Sequence, residues 1–225
     1  MTGNQDNKAA VLSRFATPLI EFDLPNPTAL NAELKRLILD RERVDTGAQH
    51  SNLGGWQSQP DFASWGGSAG KALLDGARTL ADKLARDRAG NPVRVEWAAS
   101  AWANVNRDGH GNEFHTHPGA FWSASYYVDD GGVADDPALG GEFEIQDPRG
   151  VAPAMLAPLL TIAVPGGESM GASELIRPRT GMMLMFPSWL SHGVRPYRGD
   201  GVRISVALNL TPVQKTPASP AGRAR

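Results

Sequence analysis

Five histidines punctuate the chain: His50, His110, His115, His117 and His192. Two of them stand one residue apart, as His115-Thr116-His117. On a β-strand, side chains two positions apart leave the same face, so these imidazoles would project together. Paired neutral imidazoles can share one metal ion and suit Fe, Zn, Cu and Ni alike. A third ligand from a remote strand is what a closed β-fold supplies, and His192 fits that role. Glu113 alternates onto the same face as His115 and His117 and is a competing ligand. His110 lies in a Gly-flanked turn and is expected to line a mouth; His50 is expected in a loop. Arg203, eleven residues after His192, starts the run Arg203-Ile204-Ser205. Alternation puts Arg203 and Ser205 on one face. An inward Arg is costly to bury unless it meets an anion, and its planar fork matches a carboxylate. Ser205 would add a hydroxyl donor.

These residues need elements to hold them. The 225 residues carry a net charge of −2, with 41% hydrophobic and 20% charged positions. That balance describes a soluble globular chain of one domain and argues against a dedicated nucleic-acid or membrane-surface binder. The first eight residues lack the apolar core of a signal peptide, and no apolar run approaches the ~20 residues of a membrane span. A cytoplasmic location is therefore expected. The chain has no cysteine, which removes thiolate, disulfide, iron–sulfur and Cys-type zinc chemistry. Apolar spacing predicts helices over 28–44 and 68–88, the second capped by Ser68 and stopped by Gly90-Asn91-Pro92. Strands are expected over 93–105, 121–128, 141–145, 159–164, 181–186 and 202–210, with turns at Asp129-Asp130-Gly131-Gly132 and Pro165-Gly166-Gly167. The expected fold is α+β, mainly β. It has a helical part over about 1–92 packed outside a jelly-roll core over 93–210, and a tail at 211–225.

In this order the motifs resemble the Fe(II)- and 2-oxoglutarate-dependent oxygenases, which fold as a double-stranded β-helix. The resemblance is nearest to a small bacterial group in that superfamily. It rests on Gly54-Gly55-Trp56-Gln57-Ser58, Trp102-Ala103-Asn104, His115-Thr116-His117-Pro118 and Ser123-Ala124-Ser125-Tyr126-Tyr127-Val128. Phe186-Pro187-Ser188-Trp189-Leu190-Ser191-His192 and Arg203-Ile204-Ser205 complete it. It implies Fe(II) held by His115, His117 and His192, and 2-oxoglutarate held by Arg203 and Ser205. A local likeness to nucleic-acid dealkylating members, Asn104 then Gly109 then His115, implies Asn104 as a further cosubstrate contact. Tyr126 is named as a contact as well, although the sequence leaves open which of Tyr126 and Tyr127 faces the pocket. The implied reaction turns 2-oxoglutarate and O2 into succinate and CO2 and hydroxylates a small-molecule or peptide substrate. The chain departs from the superfamily in one respect: a carboxylate usually stands where His117 is. Two other classes remain open, a three-His cupin-type dioxygenase or isomerase and a metal- or ligand-binding jelly roll. The tryptophans are expected as core or cleft walls, and the 51–58 loop as a lid or a connector.

Overall fold

In a computed structural model the structure describes residues 15–150 and 173–213. The elements, in chain order, are β1 (Ile20–Asp23), α1 (Pro27–Glu42), β2 (Asn52–Leu53), β3 (Trp56–Gln57), α2 (Phe62–Trp65), α3 (Gly67–Leu84) and β4 (Trp97–Asn106). There follow β5 (Gly111–His115), β6 (Trp122–Asp129), β7 (Phe143–Gln146), β8 (Ser173–Ile176), β9 (Met182–Pro187), β10 (His192–Val194) and β11 (Arg203–Pro212). The strands form two antiparallel sheets. The larger has the order β1-β9-β6-β11-β4-β3, the smaller β2-β5-β10-β7-β8. Strands distant in sequence become neighbours in both, as a jelly roll requires.

The helices cover one face of the larger sheet. Leu34 and Ile38 of α1 and Leu73, Leu74, Ala77 and Ala81 of α3 are buried there with Ala101, Val105, Tyr126, Val206 and Leu208. The opposite face looks toward the smaller sheet across Tyr127, Phe143, Met182, Leu184, Phe186 and Leu190. Period-2 alternation therefore sends half of each central strand into the helix-packed core and half toward the space between the sheets.

Both expected helices form, with shifted ends. Ser68 does not cap α3; Gly66 precedes the helix without a side-chain cap, and the Ser68 hydroxyl instead donates to Glu33. The helix stops at Leu84 rather than near residue 88. Asp87 explains this: its carboxylate accepts from the backbone N–H groups of Ala89 and Asn91, a local turn that competes with further helix. The first 92 residues are also more than helical, since β1, β2 and β3 join the sheets. Strands as short as β2 and β3 are made by their partners, β5 and β4, and carry no periodicity of their own. The expected strand 159–164, the turn at 165–167 and most of the tail lie outside the described residues.

Candidate functional site

His115 closes β5 and His192 opens β10, and the two stand directly opposite each other across an antiparallel pair. His117 lies past the end of β5, so it does not share a strand face with His115 as the spacing suggested. The loop is held in place by backbone bonds: His117 N–H donates to Ser188, and Ala120 N–H donates to His117. The Ser188 hydroxyl, from the turn before β10, donates to the Ala120 carbonyl. This lacing brings His117 to the same point. One nitrogen from each of the three rings lies within 4.8 Å of the other two. Among the described residues this is the one cluster able to hold a metal ion.

The ring orientations suit ligation. His115 Nδ1 is 2.8 Å from the Glu113 carbonyl, and His192 Nδ1 is 2.8 Å from the Leu190 carbonyl. A carbonyl only accepts, so both Nδ1 atoms carry the proton and both Nε2 lone pairs are left for a metal. His192 is packed between Phe143, whose ring stacks on it, and Phe186, edge-on at 4.6 Å. Burial lowers the His192 pKa to about 3. Burial, and then the charge of His115, lowers that of His117 to about 4. Both are thus neutral, the ligating form, at ordinary pH. Glu113 serves the cluster through its backbone carbonyl, while the residue itself is exposed.

Arg203 is 2% exposed. Among the described residues its guanidinium has no ion-pair partner, and its Nε is buried without a hydrogen bond. The Tyr127 ring lies 5.2 Å from it, and Asp130 and Glu142 act on it through their charge without forming an ion pair. Burial pushes its pKa down, but a guanidinium stays cationic in a protein. An unpaired buried cation is expensive, so its position argues for a missing anion. Ser205 shares its face, opposite Asn104 on one side and Tyr127 on the other. Arg203, Ser205, Asn104 and the three histidines line a single cleft of about 460 Å³, counted with its open mouth.

Tyr126 is a correction. It points to the helix-packed face, where its hydroxyl donates to Asn31, and it does not line the cleft. Tyr127, one residue on, faces inward by alternation. Among the described residues its buried hydroxyl makes no hydrogen bond of full geometry, the Ser125 side chain being close enough only to influence it. His110 does not line the cleft; its Nδ1 accepts from the Arg107 backbone and its ring lies over Gly54. A Cβ on Gly54 would come within 2.6 Å of that ring, and its φ is +82°, so glycine is required there. His50 is exposed in the loop before β2. Ser51, from that same loop, was not anticipated. Its hydroxyl is 3.5 Å from His115 Nε2 and it lines the cleft. Trp102 lines the cleft as expected, its ring 5.6 Å from that of His117.

The sequence profile of the family described as "Putative 2OG-Fe(II) oxygenase" matches residues 100–209. The chain belongs to the Fe(II)- and 2-oxoglutarate-dependent oxygenases. The matched segment runs from β4 into β11 and so spans all three histidines and Arg203. No curated protein matches the chain. Solved structures share the fold. The prolyl hydroxylase of Trichoplax adhaerens, solved with a hypoxia-inducible factor peptide, is 13% identical over 86% of this chain and 83% of its own, with a TM-score of 0.61. A prolyl-4-hydroxylase from Pseudomonas putida is 18% identical over 87% of this chain and 92% of its own, TM-score 0.59. HygX from Streptomyces hygroscopicus, solved with nickel and 2-oxoglutarate bound, is 14% identical over 87% of this chain and 83% of its own, TM-score 0.57. The oxygenase uses Fe(II) and 2-oxoglutarate, as its family does. The donor set fits both: three neutral nitrogens converge on one point, and a buried unpaired guanidinium lies in the same cleft. Among the described residues no helix is long and apolar enough to cross a membrane.

Proposed function

We propose that His115, His117 and His192 hold the iron through one ring nitrogen each, and that Arg203 grips the far carboxylate of 2-oxoglutarate. The observation that carries this reading is the buried guanidinium that forms no ion pair among the described residues, in the same cleft as the histidine cluster. Ser205 and Asn104 stand beside it on neighbouring strands as neutral hydrogen-bonding groups for the same ligand. Tyr127 takes the place first given to Tyr126: its ring lies against the guanidinium and its hydroxyl makes no full hydrogen bond among the described residues. When bound, iron and 2-oxoglutarate supply the oxidising chemistry, in which O2 and 2-oxoglutarate yield succinate, CO2 and a hydroxylated substrate. The protein's part is to position and to exclude competing reactions. The Glu113 and Leu190 carbonyls fix two of the imidazoles in the tautomer that presents Nε2. Phe143 and Phe186 keep His192 dry and correctly turned.

A set of three neutral ligands leaves the centre one charge more positive than a set with a carboxylate. The keto-acid end of 2-oxoglutarate would bring one negative charge to this centre, the far carboxylate being paired with Arg203, so cosubstrate and metal would support each other's binding more here than at a centre that already holds a carboxylate. The chain acts as a single oxygenase domain in the cytoplasm, on a small-molecule or peptide substrate and without nucleic acid.

The test is anaerobic visible spectroscopy of the protein with Fe(II), then 2-oxoglutarate. A charge-transfer band that needs both additions is expected in the wild type. It should vanish in His117→Ala and in Arg203→Ala at moderate 2-oxoglutarate. A band that survives His117→Ala removes His117 from the ligand set. Bound metal with no band in the wild type overturns the reading and leaves a cupin-type centre that does not use 2-oxoglutarate.

A further inference from the structure

The strand register divides the inner face of the larger sheet into tiers. The deepest holds Arg203 and, beside it, Asn104, Ser205 and Tyr127 in one row. These are the groups assigned to 2-oxoglutarate. The next row is Trp102, Ala207 and Ser125. All three line the cleft, and the Trp102 ring leans against His117. The outermost row is Ser100, Asn209 and Ser123. There the Ser123 hydroxyl donates to the Asn209 side-chain carbonyl at 2.8 Å, which occupies the amide oxygen and leaves the N–H₂ to other partners. No other hydrogen bond of the Asn209 side chain exists among the described residues.

We infer that Trp102, Ala207 and Ser125 form the wall that receives the reacting group of the prime substrate, and that this group is an uncharged, saturated side chain of an amide-linked substrate. The inference rests on the iron and 2-oxoglutarate reading of the site. Three observations carry it. First, among the described residues lining the cleft Arg203 is the one Arg, Lys, Asp or Glu, and it lies in the most buried row. Among the described residues a charged substrate head group would find no side-chain counter-ion beside Trp102, so its desolvation there is unfavourable. Second, a half-buried indole flanked by an alanine offers dispersion contact and a shallow recess, which suit aliphatic or saturated-ring C–H groups. Third, the next row outward is polar but neutral. Half-buried Asn209 lies just beyond the cleft lining with its amide N–H₂ free among the described residues, where it could donate to a carbonyl adjoining the buried side chain, as in a peptide.

The experiment uses the full chain loaded anaerobically with Fe(II) and 2-oxoglutarate, with the charge-transfer band read in every sample as the sign of loading. N-acetyl-L-prolinamide and N-acetyl-L-leucinamide are titrated by calorimetry against N-acetyl-L-lysinamide, the α-amide of N-acetyl-L-aspartic acid with its side-chain carboxylate free, and uncapped proline and leucine. The neutral capped probes should bind, and the charged or uncapped ones should bind at least roughly tenfold more weakly. Trp102→Ala should weaken the neutral probes by roughly tenfold, and Trp102→Phe should restore most of the loss. Ala207→Leu fills the same recess and should exclude them, which keeps the test decisive if Trp102→Ala fails to fold. With the band present, equal binding of charged and neutral probes, no binding of any probe, or unchanged binding in Trp102→Ala together with Ala207→Leu overturns the inference. An absent band overturns the underlying site reading instead.

Discussion

The two faces of β4, β6 and β11 are almost equally buried and chemically opposite. Outward, Ala101, Ala103, Val105, Ala124, Val128, Ile204, Val206 and Leu208 meet the helices in a nearly all-apolar layer. Of the polar groups placed there, the Tyr126 hydroxyl is satisfied by Asn31, while the indole N–H of Trp122, at the start of β6, is buried without a partner among the described residues. Inward, the alternate residues of the same strands include Asn104, Tyr127, Arg203 and Ser205, and two of these hold buried polar atoms without partners. Burial alone therefore does not identify the core. What separates the two faces is the kind of group left unpaired: outward it is a single neutral indole N–H, inward it includes a buried guanidinium, whose charge costs far more to leave unpaired. The inner face carries a free-energy cost that a bound anion and metal would offset.

The comparison can be broken most severely at the metal cluster. His192→Ala should lower Fe(II) affinity by roughly a hundredfold or more, checked by anaerobic metal titration. Retained affinity would remove His192 from the centre. Next, on the outer face of β11, Leu208→Ala should destabilise the fold by about 2–5 kcal/mol in urea denaturation yet leave the Fe(II)/2-oxoglutarate band in folded protein. Loss of the band at full folding would mean that the faces are not separable. Arg203→Met should do the reverse. It should raise the stability of the ligand-free protein by about 1–3 kcal/mol, because a buried uncompensated charge is removed, and abolish the band at moderate 2-oxoglutarate. A less stable Arg203→Met protein would show that the guanidinium has a partner in solution.

Acid sharpens the same contrast. His192 and His117 take up protons at about pH 3 and about pH 4 in the folded protein, against 6.5 for the ordinary side chain. Between these values the unfolded chain binds protons that the folded chain refuses. Ligand-free stability should therefore be level above pH 6.5 and fall as the pH drops from there toward 4. Urea denaturation at pH 7 and pH 5 reads this, and His192→Asn should shrink the difference; an undiminished difference would assign it to other groups. The smallest contrast lies between adjacent residues. Tyr126→Phe should cost about 1 kcal/mol and leave 2-oxoglutarate binding unchanged, since it removes a satisfied hydrogen bond on the helix side. Tyr127→Phe removes an unsatisfied hydroxyl, so it should not lower ligand-free stability but should weaken 2-oxoglutarate binding several-fold. Identical behaviour of the two variants would cancel the assignment of Tyr127.

Much of the site was legible because its chemistry is local in sequence or periodic. The His115-Thr116-His117 pair, the distal His192 and the alternation that puts Arg203 with Ser205 and against Ile204 are all read along the chain, and the last is visible in the strand register. The motif order was enough to name the superfamily. Less local features escaped. His117 reaches the cluster from a loop laced to Ser188, 71 positions away, not from a shared strand face. Ser51 meets His115 because β2 pairs with β5, a contact that no spacing encodes. Tyr126 and Tyr127 are chemically alike and adjacent, so alternation says that they part company but not which one faces inward. That phase is set when one face of β6 docks on α1, and docking is a property of packing between elements. Residue types and their period along each strand were thus determined by the sequence itself. The direction of the period, the closure of the loops and the pairing of the buried charges were decided only when the two sheets and the helices came together, because burial and hydrogen-bond satisfaction exist only in the assembled structure.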